Sequence, residues 1–321
     1  MKNVLRPMVA VAALSVCAAL QAQDYPTRPV RVLVPYTPGG ITDLVTRIAA
    51  AELAKSFSQT VVVDNRPGAN SILAVDMVSK ATPDGYTLGT VIAAHAANQT
   101  LYARLPYDSV KSFEHVSLLV TSPLIVCVTN SLPAHSVKEL IDLAKAKPGT
   151  LSFASSGIGA AAHLTTELFM STTGIKMVHI PYKGTAPALQ DLIGGQINFM
   201  MDTPMPAMLP QVRAGKVRVI GMASEKRISI APEIPTLIEQ GVNMTGGTWV
   251  ALLAPAGTPK PIVDKLSKTV GEAMRRADNR ERFAQFGMEP VGSTSAELTA
   301  FLRNEVAKWA KVIKEANVKI D

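Results

Sequence analysis

Short apolar segments alternate with segments of helical period along almost the whole chain, a pattern that points to an α/β architecture. Val30–Pro35 reads as a strand, and Ile41, Leu44, Val45, Ile48 and Leu53 then recur at helical spacing. Thr60–Val63 is a second strand, closed by the turn Asn65-Arg66-Pro67-Gly68, and Tyr86–Ala93 is a third, entered through Pro83-Asp84-Gly85. Val116–Val120 and Leu124–Val128 flank Thr121-Ser122-Pro123, the predicted crossing between two lobes. A middle block repeats the alternation: helix Val137–Ala146, strand Leu151–Ala154, strand Met177–Ile180, helix Ala186–Ile193, strand Ile197–Met201 and strand Val217–Met222. Trp249–Leu253 then returns, followed by helices Pro261–Arg276 and Ala296–Ala316.

A chain of 321 residues exceeds what one core usually spans. The order of segments predicts a discontinuous first lobe, 24–123 plus 247–321, and a second lobe, 124–246. Each is expected to be a mostly parallel sheet flanked by helices, with a ligand site between them.

The first residues read as a leader. Lys2 and Arg6 precede the uncharged run Met8–Leu20, and Leu20-Gln21-Ala22 is an acceptable cleavage site, so 1–22 is expected to be a signal peptide and the protein exported and soluble. Cys17 follows Val16, where a lipoprotein signal needs a smaller residue. Cleavage leaves Cys127 alone within Leu124–Val128, which predicts a buried thiol and excludes a disulfide framework. The 32 basic and 25 acidic residues make the chain mildly basic. The basic groups are dispersed and not interleaved with aromatics, which argues against a nucleic-acid partner. Arg275, Arg276, Arg282, Lys308, Lys311 and Lys314 read as solvated helix faces.

One segment carries a binding chemistry. In VRVLVPYTPGGITD a strand enters a Pro-Gly-Gly turn and then a helix whose first turn has no Lys or Arg. Tyr36, Thr37, Pro38, Gly39, Gly40, Ile41 and Asp43 are therefore candidate ligand residues: Pro38 shapes the turn, and the backbone N–H groups of the others with the positive helix end face an anion. A dinucleotide fingerprint fails because Asp43 and Leu44 stand where its third glycine belongs. A phosphate-loop NTPase fails because Ile41 and Thr42 stand where Lys and a hydroxyl residue belong. The plainer alternative is a tight turn that needs only glycine's freedom in φ.

Phe153-Ala154-Ser155-Ser156-Gly157-Ile158-Gly159 repeats the design in the second block, with Ser155, Ser156 and Gly159 as candidate ligand groups, or the serines as ordinary helix caps. A nucleophile elbow at Ser156 lacks its first glycine, since Ala154 holds that place, and His163 is too far along the helix to act as its base. His163 and Glu167 at i and i+4 lack further metal ligands, so no metal is expected. His95 and Asn98 follow a strand end, where α/β clefts place ligand groups, or else belong to a self-satisfied polar loop. His115, His135 and His179 read as structural. Asp202 ends an apolar strand, placed to accept from a ligand's far end or to cap the next helix.

From Tyr25 onward the chain resembles the substrate-binding receptors of tripartite tricarboxylate transporters, the Bug-type periplasmic proteins. The motifs that carry the resemblance include Pro38-Gly39-Gly40-Ile41-Thr42-Asp43, Asp64-Asn65-Arg66-Pro67-Gly68-Ala69 and Thr82-Pro83-Asp84-Gly85-Tyr86. They continue through His95-Ala96-Ala97-Asn98, Tyr182-Lys183-Gly184, Gly194-Gly195-Gln196 and Leu253-Ala254-Pro255-Ala256-Gly257-Thr258-Pro259. The resemblance implies a two-lobed Venus-flytrap of the type II periplasmic binding class without catalysis, in which the Pro-Gly-Gly and Ser-Ser-Gly loops approach a ligand carboxylate, often through water. Pro38, Gly39, Gly40, Asp43, Ser155, Ser156, Gly159 and Asp202 match that pattern. Ala160, Gln99 and Val250 depart from it at places where serine, proline and an aromatic are common. The expectation is a monomeric periplasmic receptor without cofactor, delivering a small carboxylate to integral-membrane transporter subunits. A secreted α/β hydrolase using Ser156 and a sensor-like binder are the alternatives.

Overall fold

The computed structural model describes residues 25–204, 208–228 and 230–320; the expected leader 1–22 and its cleavage site, with Asp24, lie outside the described residues. The chain forms β1 (Val30–Val34), α1 (Ile41–Phe57), β2 (Val61–Asn65), α2 (Ile72–Ser79), β3 (Thr87–Ile92), α3 (Ala93–Leu101) and β4 (Phe113–Pro123). It continues through β5 (Ile125–Thr129), α4 (Val137–Ala146), β6 (Ser152–Ser155), α5 (Ala161–Thr173), β7 (Val178–Pro181), α6 (Thr185–Ile193), β8 (Phe199–Asp202), α7 (Leu209–Arg213) and β9 (Val217–Met222). The last part is β10 (Gly247–Pro255), α8 (Lys260–Arg275), α9 (Ala277–Ala284), β11 (Glu289–Pro290) and α10 (Ser295–Glu315).

These strands make two sheets, ordered β11-β4-β10-β3-β1-β2 and β7-β6-β8-β5-β9. β1 is parallel to β2 and β3, and β6 to β7 and β8. The rest of each sheet is antiparallel: β10 runs against β3 and β4, and β5 against β8 and β9. The two-lobed α/β fold is therefore built on mixed sheets, not mostly parallel ones. The cause is the traffic between them, because the strands that leave and re-enter, β4 and β10, pair head to tail.

The chain passes from the first sheet to the second where β4 ends at Pro123 and β5 begins at Ile125. Thr121-Ser122-Pro123 is the end of β4, held opposite Trp249, Thr248 and Gly247. Ser122 is buried and donates to Gly287 O at 3.2 Å, so a turn-like tripeptide stays in the ladder. Just beyond it Leu124 N–H donates to Gly246 O, Gly246 N–H to Ala223 O and Ala223 N–H to Leu124 O. A Cβ on Gly247 would stand 2.5 Å from Ser122 O, so the two crossing strands touch backbone to backbone.

Apolar clusters cover both faces of each sheet. In the first sheet Val32 faces α1 and α8 while Leu33 faces α2, the alternation a doubly covered strand requires. Leu164 of α5 joins the latter cluster beside Trp249, Leu302 and Trp309, so the second sheet's helix α5 packs on the first sheet's unit. Cys127 is buried in the second sheet with its Sγ 3.8 Å from Met208 Sδ, and burial pushes its thiol well above the ordinary range. Arg276 is not a free surface charge: its guanidinium holds both oxygens of Glu52, at 2.7 and 2.6 Å, and ties α1 to the start of α9. α9 and β11 were not anticipated, because the charge-rich stretch ADNRERFA has little apolar periodicity.

Candidate ligand-binding site

At the C-terminal end of β1 the chain turns through Tyr36–Gly40 into α1. Gly40 is the N-cap residue, with φ −81° and ψ 174° and no side-chain cap. The N–H groups of Gly40, Ile41, Thr42 and Asp43 find no acceptor among the described residues. A Cβ at Gly39 or Gly40 would meet nothing within 4 Å, so the turn opens on free space. Thr37, Pro38 and Gly39 are exposed, and Tyr36 and Ile41 are half-buried. Only Gly39, at φ +92°, needs glycine for its conformation.

Asp43 lies behind this turn. Its Oδ2 accepts from Gly39 N–H and Arg47 Nε, both at 3.0 Å, and its Oδ1 accepts from Asn65 Nδ2 at 2.9 Å and Arg47 Nη2 at 3.0 Å. Asn65 Nδ2 also donates to Tyr36 O at 2.9 Å. Burial opposes the charge on Asp43, but the hydrogen bonds from Arg47, Gly39 and Asn65 outweigh it and hold the carboxyl below its usual range. The structure thus places Asp43 as a brace whose oxygens are spent on the loop, and the same network spends Arg47.

The second loop is built alike. Ser155, fully buried at the end of β6, lies 2.7 Å from His179 Nε2 and 3.1 Å from Gly157 O. Ser156 is half-buried and makes no hydrogen bond among the described residues. α5 starts at the N-cap Ala160 without a side-chain cap. Gly159, at φ +77°, donates its N–H to His163 Nδ1 at 3.1 Å. A Cβ there would stand 2.7 Å from Leu101 Cδ1 and 3.9 Å from Asn70 Nδ2, so this loop meets the other unit at α3 and at the turn before α2.

On the adjacent strand β8, Met200 pairs with Ala154, which sets Asp202 level with Ser156. Asp202 Oδ2 accepts from Thr185 Oγ1 at 2.7 Å and Oδ1 from Thr203 N–H at 2.7 Å. It is buried, and burial without a cation raises its pKa. Thr185 opens α6, whose N-cap Gly184 gives no side-chain cap. The starts of α1, α5 and α6 are therefore all open, whereas α4 and α10 are closed by Ser136 and by the Thr294–Glu297 capping box.

His95 and Asn98 are not in the loops. His95 lies inside α3, fully buried, with Nε2 2.8 Å from Ser109 O, and burial pulls its pKa down to about 4. Asn98 is fully buried too: its Nδ2 donates to Asn70 O at 2.8 Å while its Oδ1 accepts from Asn70 Nδ2 at 2.9 Å. This exchange holds Ala69, Asn70 and Ser71 at φ +46°, +47° and +75°, a left-handed run of non-glycine residues at a cost of order 1–3 kcal/mol each. The sequence reading missed Asn70; the signal was two asparagines that acquire meaning only as a pair. It read His163 with Glu167 and took His179 alone as structural, whereas the fold stacks the two imidazoles. His163 Nε2 lies 3.5 Å from Glu167 Oε1, and no group of three metal-ligating side chains gathers among the described residues. Ser156 has no imidazole partner among the described residues, and the serine that does meet an imidazole, Ser155, is itself fully buried, so the hydrolase alternative gains no support.

The profile of the tripartite tricarboxylate transporter family receptor matches residues 45–318. The chain belongs to this family. Protein BugT of Bordetella pertussis is 36% identical over 313 residues, 97% of this chain and 96% of that protein. Among solved structures, an R. palustris protein with adipate is 35% identical, covers 92% of this chain and 99% of its own, and has a TM-score of 0.81. MatC from Rhodopseudomonas palustris with bound malate is 32% identical, covers 90% and 100%, and has a TM-score of 0.76. The family's members are periplasmic solute-binding receptors, and no described helix here is long and apolar enough to cross a membrane.

Proposed function

We propose that this protein captures a small carboxylate-bearing metabolite between its two units and delivers it to the membrane subunits of a tripartite transporter. The observation that carries this reading is the row of unpaired N–H groups from Gly40 to Asp43, opening on free space with the nearby Arg47 already committed to Asp43. Such a row binds an anion through amides and the helix dipole, directly or through water, without a formal countercharge. Relatives solved with adipate and with malate support the ligand class.

In this reading Tyr36–Ile41 form the first wall, Ser156 and the open start of α5 the second, and Asp202 acts at the far end beside Thr185. Asp43, Ser155 and Gly159 shape the loops. His95 and Asn98, buried, shape the first unit instead of touching ligand. The lobes are 24–123 with 247–321, and 124–246, and they close about the paired crossings at Pro123 and Gly247. The receptor is exported as a monomer and carries out no turnover; metal and cofactor have no part in the proposal.

The test is a thermal-shift panel of small mono-, di- and tricarboxylates, with adipate and malate included. A ligand that binds only the folded state adds about 2.7 kcal/mol at a hundredfold excess over Kd, so the midpoint rises by several degrees. A panel in which no acid moves the midpoint at millimolar concentration overturns the reading.

A further inference from the structure

Behind the Ser155–Gly159 loop two imidazoles lie face to face. The His163 and His179 ring centroids are 3.9 Å apart at an interplanar angle of 10°, and Phe153 continues the stack 4.7 Å from His179 at 16°. Each ring holds one end of the loop. His163 Nδ1 accepts the Gly159 N–H at 3.1 Å, so that nitrogen carries the lone pair, and the ring proton is on Nε2, on the side of Glu167. His179 Nε2 lies 2.7 Å from Ser155 Oγ, and that oxygen also accepts Gly157 N–H at 3.3 Å.

We propose that His163 and His179 are positioning residues for this ligand loop, which keeps its shape only while His163 is neutral. A proton arriving at Nδ1 occupies the lone pair that Gly159 uses and sets a donor against a donor. The Gly159 end of the loop then lets go, and the open start of α5 loses its aim. The inference rests on the receptor reading above and adds a pH dependence to it.

The surroundings fit this role. Burial, with His163 beside it, pulls His179 down to about 4. Glu167 supplies the countercharge that an imidazolium at His163 would face. β10, which also packs on α5, has no titratable side chain, and β8 contributes only Asp202, engaged by Thr185 and Thr203. On α10, Glu305 is held by Trp249, Trp309 and Lys308, and Glu315 lines the same groove as Glu167. Lys176, which lines the groove of Glu167 and Glu315, is the cation on that side of the pair.

The test compares the intact protein with His163→Asn and His163→Ala. Asn places an acceptor near the Nδ1 position but does not titrate. Calorimetry with adipate or malate, whichever binds at pH 7.5, is repeated down to pH 5.5. Wild type is expected to lose about tenfold in affinity, the scale of one hydrogen bond. His163→Asn, whatever its affinity at pH 7.5, should show a profile flat to within about twofold, and His163→Ala should bind about tenfold more weakly at both ends. An Asn variant that keeps the wild-type pH loss overturns the proposal. Nitrogen-15 spectra of the ligand-free wild type give an independent arm: the Gly159 amide should shift with the midpoint of the His163 ring, and an amide that ignores that ring overturns the proposal even where no acid binds.

Discussion

The Asp43 carboxylate accepts the Gly39 N–H at 3.0 Å, four residues back along the chain, and so closes the turn that α1 presents to the cleft. Because Asn65 and Arg47 complete the carboxylate's shell, Asp43→Ala removes a buried, charge-assisted hub. Chemical denaturation should show a loss of about 2 kcal/mol. The sign with pH follows from its lowered pKa: the contribution is present above the unfolded value and fades as pH falls through the lower folded one. A variant as stable as wild type at pH 7 would show that the brace is not needed.

Gly40 and Arg47 separate two accounts of how ligand charge is met. Gly40 sits at an ordinary φ with open space where a Cβ would go, so Gly40→Val should fold with a near-normal melting temperature. Its methyl groups would stand where an anion approaches the free N–H row, and affinity should fall at least tenfold. Arg47→Ala leaves Asp43 its bonds from Gly39 and Asn65 and should weaken binding less. Calorimetry with one panel acid ranks the two, and the opposite order would mean that the guanidinium itself pairs with the ligand.

How much of this was legible in the sequence depended on distance along the chain. VRVLV and IVCVT are continuous apolar runs, and the glycine turns that follow strands are local, so the α/β alternation and both loops could be read directly. Asp43 looked like a ligand group because its partner Asn65 is 22 positions away and belongs to another strand. His95 does follow the end of β3, but AAHAANQTL enters α3 without a loop, and His95 and Asn98 are buried in its core-facing side. Thr121-Ser122-Pro123 could be read as the passage between lobes because it separates two apolar runs, but its pairing with β10 involves residues over 120 positions away and could not be read. The Asn70–Asn98 exchange and the His163–His179 stack exist only in three dimensions.

Acid should unfold this protein partly through His95. It is fully buried and neutral, with a folded pKa of about 4 against an unfolded value of 6.5. A lowered imidazole pKa means that the unfolded state binds the proton more readily, so stability is fully present above pH 6.5 and is lost as pH falls toward 4. The loss is about 3 kcal/mol in total. His95→Gln, which offers Ser109 O a donor but does not titrate in this range, should flatten that portion of the denaturation profile. An unchanged slope between pH 6.5 and 4 would assign the acid sensitivity elsewhere.

Asp202 poses the sharpest choice between recognition and structure. Its oxygens hold Thr185 and Thr203, it is buried, and no cation balances it, so ionisation is disfavoured in the folded state. A raised carboxyl pKa implies stability that is present below the unfolded value and is lost as pH rises through the folded one. Asp202→Asn removes that cost while keeping the shape, and its melting temperature without ligand should match or exceed wild type near pH 7. If Asp202 also accepts from the far end of a bound acid, the same variant should lose tenfold to a hundredfold in affinity, the scale of a charge-assisted hydrogen bond of about 1.5 to 3 kcal/mol. A brace that acts only through Thr185 predicts a different pair of results: Asp202→Asn binds as wild type does, and Thr185→Val loses stability by about 1 kcal/mol as the buried carboxylate loses a donor. Calorimetry and melting curves on both variants, with one identified acid, separate the roles, and wild-type affinity in Asp202→Asn would remove this residue from the ligand's contacts.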